Sequence, residues 1–242
     1  MTPEERAAFF TVHRDLPREG PGEAADVAWV LAQTGLGGAI DVLDAACGPG
    51  ADLETLADHL PEARLTGIEQ VSHFVTAAAA RVARFGPRVR VQERDMAAPD
   101  GRYDLIWCAG ALYFLGVVDG LRGWRDALHP GGKVAFSEPV LLDTPASGAE
   151  SAFWDDYPQI TDLEGLTAQL ADAGYRTLAH RMLVGAPWQA YYAPMEARIA
   201  ALRQSDPDAA LRAALDEAQQ EIDRWTAARD QIAYALLIVD AT

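Results

Sequence analysis

The chain has 242 residues, a formal net charge of −16 from 20 Lys+Arg against 36 Asp+Glu, and is 50% hydrophobic. That charge disfavours nucleic acid and anionic membranes as partners, and the apolar fraction excludes a disordered chain. Two cysteines, Cys47 and Cys108, are too few for a disulfide framework or a four-ligand zinc site, and no metal centre is expected. The charged N-terminus lacks an apolar signal core, and no run approaches the roughly 20 apolar residues a bilayer needs. A cytoplasmic setting follows as the expectation.

Strand and helix signals alternate along the chain. Ile40 to Ala45 is a short apolar run stopped by small residues and glycine. Leu53 to His59 has helical spacing and ends at Pro61. Arg64 to Ile68 reads as a strand, Val71 to Phe85 as an Ala-rich helix broken by Gly86-Pro87, and Val89 to Gln92 as a third strand. Tyr103 to Cys108 is nearly all apolar, the mark of a strand buried on both faces. Leu121 to Leu128 is helical and stops at His129-Pro130-Gly131-Gly132, before a strand over Lys133 to Ser137. A helix over Leu163 to Ala173 and a strand over Tyr175 to Val184 follow. Met195 to Ala228 is again helical, and Ile232 to Val239 is the last strand.

These segments predict an α/β fold: a Rossmann-like, seven-stranded, mostly parallel sheet with helices on both faces. A helical insertion over residues 185–230 lies between the last two strands. A single domain is expected over residues 1–242, with an N-terminal arm or lid over 1–35, a core over 40–140, and the insertion as a cap. An amphipathic insertion also allows a homodimer.

Ligands in such sheets sit at the carboxyl ends of the strands, at the topological switch. The first strand runs into Asp44-Ala45-Ala46-Cys47-Gly48-Pro49-Gly50, where small residues let the backbone approach a ligand. Glu69 follows at the end of the second strand, nineteen positions after Gly50, where a carboxylate can accept both hydroxyls of a ribose. A dinucleotide loop would carry a third spaced glycine for its pyrophosphate. Here that glycine is missing and Asp44 is acidic, which favours an amino-acid ammonium over a phosphate. S-adenosylmethionine, with an ammonium, a sulfonium and no phosphate, matches that preference.

Five segments then carry a resemblance. VLDAACGPG (42–50), GIEQ (67–70), ERDMAAP (93–99), YDLIWCAGALYF (103–114) and LHPGGKVAFSEP (128–139) resemble, in order and spacing, the motifs of class I S-adenosylmethionine-dependent methyltransferases. The flanks FFTVHRDLPREGPGEA (9–24) and FWDDYPQI (153–160) are similar to a subgroup of small bacterial enzymes acting on small molecules. The resemblance implies methyl transfer from S-adenosylmethionine to a small-molecule acceptor, with S-adenosylhomocysteine as product. Cofactor-binding positions would be Arg18, Asp44, Ala45, Gly48, Gly50, Glu69, Gln70, Asp95, Met96, Cys108 and Ala109. Arg18, on the arm, would pair with the methionine carboxylate. Asp95 and Met96 would flank the adenine. Cys47 reads as a small buried filler.

Ala109 departs from the subgroup, which often has an acidic residue there. That departure supports one alternative beside the enzyme, a catalytically silent cofactor-binding sensor or partner protein; a second, a protein methyltransferase, rests on an acidic surface that could attract a basic substrate. Candidate acceptor residues are Tyr113, Glu138, Trp154, Trp188 and Tyr192, the last three belonging to an aromatic set with Tyr157 and Tyr191. Aromatic walls suit a cation. Candidate catalytic residues are His13, as a base, and Tyr113.

Overall fold

The computed structural model describes residues 1–143 and 146–242. Strands β1 (Asp41–Ala45), β2 (Arg64–Glu69), β3 (Val89–Glu93), β4 (Tyr103–Ala109), β5 (Leu128–Leu141), β6 (Tyr175–Leu183) and β7 (Ile232–Ala241) form one sheet in the order β3-β2-β1-β4-β5-β7-β6. β7 runs antiparallel to both of its neighbours and the other pairings are parallel. The chain steps outward from β1 to β2 to β3, then returns to the other side of β1 with β4. The switch point therefore lies between β1 and β4.

Helices α1 (Pro3–His13), α2 (Ala24–Thr34), α3 (Ala51–His59), α4 (Ser72–Val82), α5 (Val117–Trp124), α6 (Gly148–Phe153), α7 (Leu163–Ala173), α8 (Ala186–Arg203) and α9 (Ala209–Ala227) complete the described elements. Alternate strand residues feed two cores. Val42, Leu105, Trp107 and Ala135 join α2, α3, α8 and α9 on one face. Leu43, Ile106, Cys108 and Phe136 join α5 and α7 on the other. This two-residue alternation is the strand period, with both faces apolar because both are covered. The insertion is a helical hairpin, α8 and α9, between β6 and β7.

The N-terminal arm holds α1 and α2. Thr2 caps α1, and its hydroxyl and backbone exchange hydrogen bonds with Glu5. The Pro130-Gly131-Gly132 turn does not precede β5 but lies inside it. β4 pairs across it with a register shift between Tyr103 and Leu105, and a Cβ at Gly132 would stand 2.8 Å from the Tyr103 carbonyl. The backbone folds tightly there and the ladder resumes at Lys133.

Gly50, the turn before α3, has φ +84°, and a Cβ there would lie 3.0 Å from the Ala78 Cβ and 3.1 Å from its Cα. Here α3 and α4 touch without a side chain between them. Gly50→Ala combines a left-handed backbone cost of about 1–2 kcal/mol with an overpacking cost of about 1–3 kcal/mol. A lowered urea midpoint with an unchanged slope is the expected result.

Candidate active site

The β1–β4 switch opens into a cavity of about 810 Å³, within the range of small-molecule and cofactor sites. One side is built by the loops after β1, β2 and β4. Cys47 N–H donates to the Ile68 carbonyl and Gly50 N–H to the Cys47 carbonyl, closing the first loop. The Glu69 carboxylate ties the loops together. It accepts from Gly48 N–H at 3.0 Å and from Val71 N–H at 2.8 Å. Gly110 N–H donates to the Ser137 hydroxyl at 2.8 Å, fixing the loop after β4 against β5.

The charges on this wall are mostly negative. Asp44 is 2% exposed, and its Oδ2 is buried without a hydrogen-bond partner. Burial first, then the charges of Asp52 and Glu69, push its carboxyl well above the usual range. Arg18 Nη2 donates to Asp52 Oδ1 at 2.5 Å, and Trp107 Nε1 donates to Asp52 Oδ2 at 3.2 Å. Glu19, over Gly48, is raised by burial although His13 Nδ1 lies 2.7 Å from its Oε2. The roof comes from the arm and the insertion. Phe9, Phe10, His13 and residues 18–21 line the cavity. Arg198 of α8 donates through Nε and Nη2 to the Thr11 carbonyl at 3.0 and 2.7 Å, clamping arm to insertion.

Of the candidates, Arg18, Asp44, Gly48, Glu69, Gln70, Asp95, Met96, Ala109, His13, Tyr113, Trp154, Trp188 and Tyr192 line this cavity. Ala45, Gly50, Cys108 and Glu138 do not. Ala45 and Cys108 point into the opposite core, because strand parity turns them away from Asp44 and Ala109. Gly50 serves the contact between α3 and α4. Arg18 is engaged by Asp52 and by the Gly20 carbonyl. Cys47 Sγ is 2.9 Å from where a Gly67 Cβ would stand, and burial pushes its thiol well up, so it packs as a filler. Burial also raises the Tyr113 phenol, which stays neutral and cannot serve as a base near neutral pH. Residues that sequence reasoning missed include Glu19, Asp52, Glu221 and Tyr234.

Glu138 lines a separate cavity of about 270 Å³ with Tyr113 and Tyr157. Its Oε1 accepts from the Tyr157 hydroxyl at 2.7 Å, and its Oε2 is buried without a partner. Asp41, Asp104 and His129, close enough to one another to ligate a metal ion, lie away from both cavities at the amino ends of the strands. Both Asp41 oxygens there take Arg64, at 2.7 and 2.8 Å, and Asp104 accepts the Asp41 N–H.

Residues 42–132 match the family model of a methyltransferase domain. Two relatives are trans-aconitate 2-methyltransferases. That of Streptomyces avermitilis is 35% identical over 128 residues, covering 48% of this chain and 46% of that protein. That of Paracidovorax citrulli is 33% identical over 122 residues, covering 48% and 45%. The chain thus spans about half the length of these relatives. Two solved structures share the whole fold. YjhP from E. coli superposes with TM-score 0.85 at 22% identity, covering 97% of this chain and 99% of that one. A SAM-dependent methyltransferase from Geobacter sulfurreducens, solved with S-adenosyl-L-homocysteine, gives 0.82 at 21% identity, covering 100% and 99%. The motif resemblance therefore stands over the core, and the fold is that of the class I methyltransferases. Among the described residues, no helix is long and apolar enough to cross a membrane.

Burial raises Glu138 from 4.5 to about 7. The folded chain then holds more protons at this site than the unfolded chain between these values. The stability this group contributes is full below pH 4.5 and is lost as pH rises through about 7. Glu138→Gln removes that dependence. In urea denaturation the variant should gain up to about 3 kcal/mol over the parent between pH 5 and pH 8; an unchanged difference between the two proteins would refute the assignment.

Proposed function

We propose that this chain is an S-adenosylmethionine-dependent methyltransferase that acts on a small-molecule acceptor. One observation carries the reading: the buried, unpartnered Asp44 Oδ2 on a cavity wall shared with Glu69 at the β1–β4 switch. An acidic wall without a phosphate-binding cation suits a ligand with an ammonium and ribose hydroxyls. The residues present fit S-adenosylmethionine. Asp44 would hold the ammonium, Glu69 would accept the ribose hydroxyls on its remaining lone pairs, and Asp95 with Met96 would flank the adenine.

Bound there, S-adenosylmethionine would supply a methyl carbon activated by a sulfonium leaving group. What remains for the chain is positioning and exclusion of water. The clamped arm and insertion roof the cavity, which suits a low-mass acceptor better than a polymer. Tyr113, a neutral phenol, can donate a hydrogen bond to the acceptor. His13 keeps Nε2 for a proton, since Nδ1 faces Glu19.

Titration calorimetry of the ligand-free protein tests the reading. Saturable one-to-one binding of S-adenosylmethionine, and none of NAD, is expected. A bound ammonium would draw the raised Asp44 carboxyl back to its charged form, so Asp44→Asn and Glu69→Ala each remove a charge-assisted interaction, and each should weaken binding at least about tenfold. Preferred binding of NAD, or unchanged affinity in both variants, would overturn it.

A further inference from the structure

Beyond the loop after β4, the cavity is walled by rings. Trp154 stacks on Tyr234 with centroids 6.1 Å apart. Trp188 meets Tyr234 edge-on at 5.0 Å and lies 5.9 Å from Tyr192. Among these rings sits one carboxylate, Glu221 of α9. Its Oε1 accepts from the Tyr192 hydroxyl at 2.7 Å. Among the described residues, Glu221 has no Lys, Arg or His partner within ion-pair distance.

The phenols around it are uncharged. Burial, then the Glu221 charge, push Tyr191 and Tyr192 well above the ordinary value, and burial, then Tyr113 and Glu138, do the same for Tyr234. The positive side chains on the cavity wall are already engaged. Arg18 pairs with Asp52, Arg94 pairs with Asp100, and His13 faces Glu19. An anionic acceptor would thus enter beside Glu221 with no free positive side chain to meet it. A carboxylate under aromatic faces calls for a positive partner, because ring quadrupoles and the carboxylate attract a desolvated cation together.

We propose that the acceptor is a small organic cation whose ammonium group serves as its binding handle, held by the Glu221 carboxylate within the Trp154, Trp188, Tyr191, Tyr192 and Tyr234 walls, while a separate nucleophilic atom of the same molecule, with a free lone pair, takes the methyl group as the sulfonium leaves as S-adenosylhomocysteine. This deepens the methyltransferase reading and rests on it. It also separates this chain from an acceptor such as trans-aconitate, whose three carboxylates would be repelled.

Three probes test it by tryptophan fluorescence and calorimetry at fixed ionic strength, on the whole chain loaded with S-adenosylhomocysteine. They are choline, its uncharged isostere 3,3-dimethylbutan-1-ol, and trans-aconitate. Choline should bind about tenfold or more tightly than the isostere, and trans-aconitate should not compete. Glu221→Gln should erase the preference for choline while leaving the affinities for the isostere and for S-adenosylhomocysteine unchanged. Glu221→Asp, which keeps the charge, should retain it. Tighter binding of trans-aconitate, no choline binding, or an undiminished preference in Glu221→Gln would overturn the proposal. If S-adenosylhomocysteine itself does not bind, the cofactor reading fails separately, and the same probes on the unloaded chain still decide the charge preference.

Discussion

Four carboxylates, Asp44, Asp52, Glu69 and Glu19, converge on one cavity, and Arg18 is the one permanent cation paired with any of them among the described residues. Like charges at such range repel strongly once water is displaced. The structure contains the repulsion in three ways. Glu69 takes two backbone N–H groups, Asp52 takes Arg18 and an indole N–H, and burial favours the protonated forms of Asp44 and Glu19. The strand order forces the convergence, because β1 and β2 end side by side at the switch and α3 starts immediately after the first loop.

The same constraint gives the arm its place. Arg18 reaches Asp52 from a segment far away in the chain, and Gly22 N–H is held by the Pro187 carbonyl of α8 at 3.2 Å. The arm thus bridges the acidic loops and the helical insertion. Charge compensation on one side and the Arg198 clamp on the other turn an N-terminal extension into a cavity wall.

Most of the sheet was legible in the sequence. Five strand-length runs between Ile40 and Ser137, rich in Val, Ile and Leu, alternate with helical segments, and that alternation points to a mostly parallel sheet. Asp44 and Glu69 were legible because strand ends point to ligands. Ala45 and Cys108 turn their side chains to the other face, as the two-residue alternation of β1 and β4 dictates, so only backbone contacts with a ligand are open to them. Glu221 was hidden for another reason. In an Ala-, Glu- and Arg-rich helix it looks like one more solvated acid, and only the packing of α9 against α8 brings it to Tyr192. Tyr234 was hidden likewise inside an apolar strand whose period says nothing of a cavity at its end.

The place of β7 bears on how the molecule assembles. Among the described residues, β6 pairs with no strand except β7, and β7 follows the insertion in the chain. Strands β1 to β5 complete their pairings with one another without β7, apart from the edge of β5. β6 and the α8–α9 hairpin must wait for the later strand to slot between β5 and β6, a closure across a long loop. The ring-walled chamber, bordered by Tyr234 of β7 and by the α8–α9 hairpin, thus depends on the longest-range pairing in the sheet, while the carboxylate wall does not.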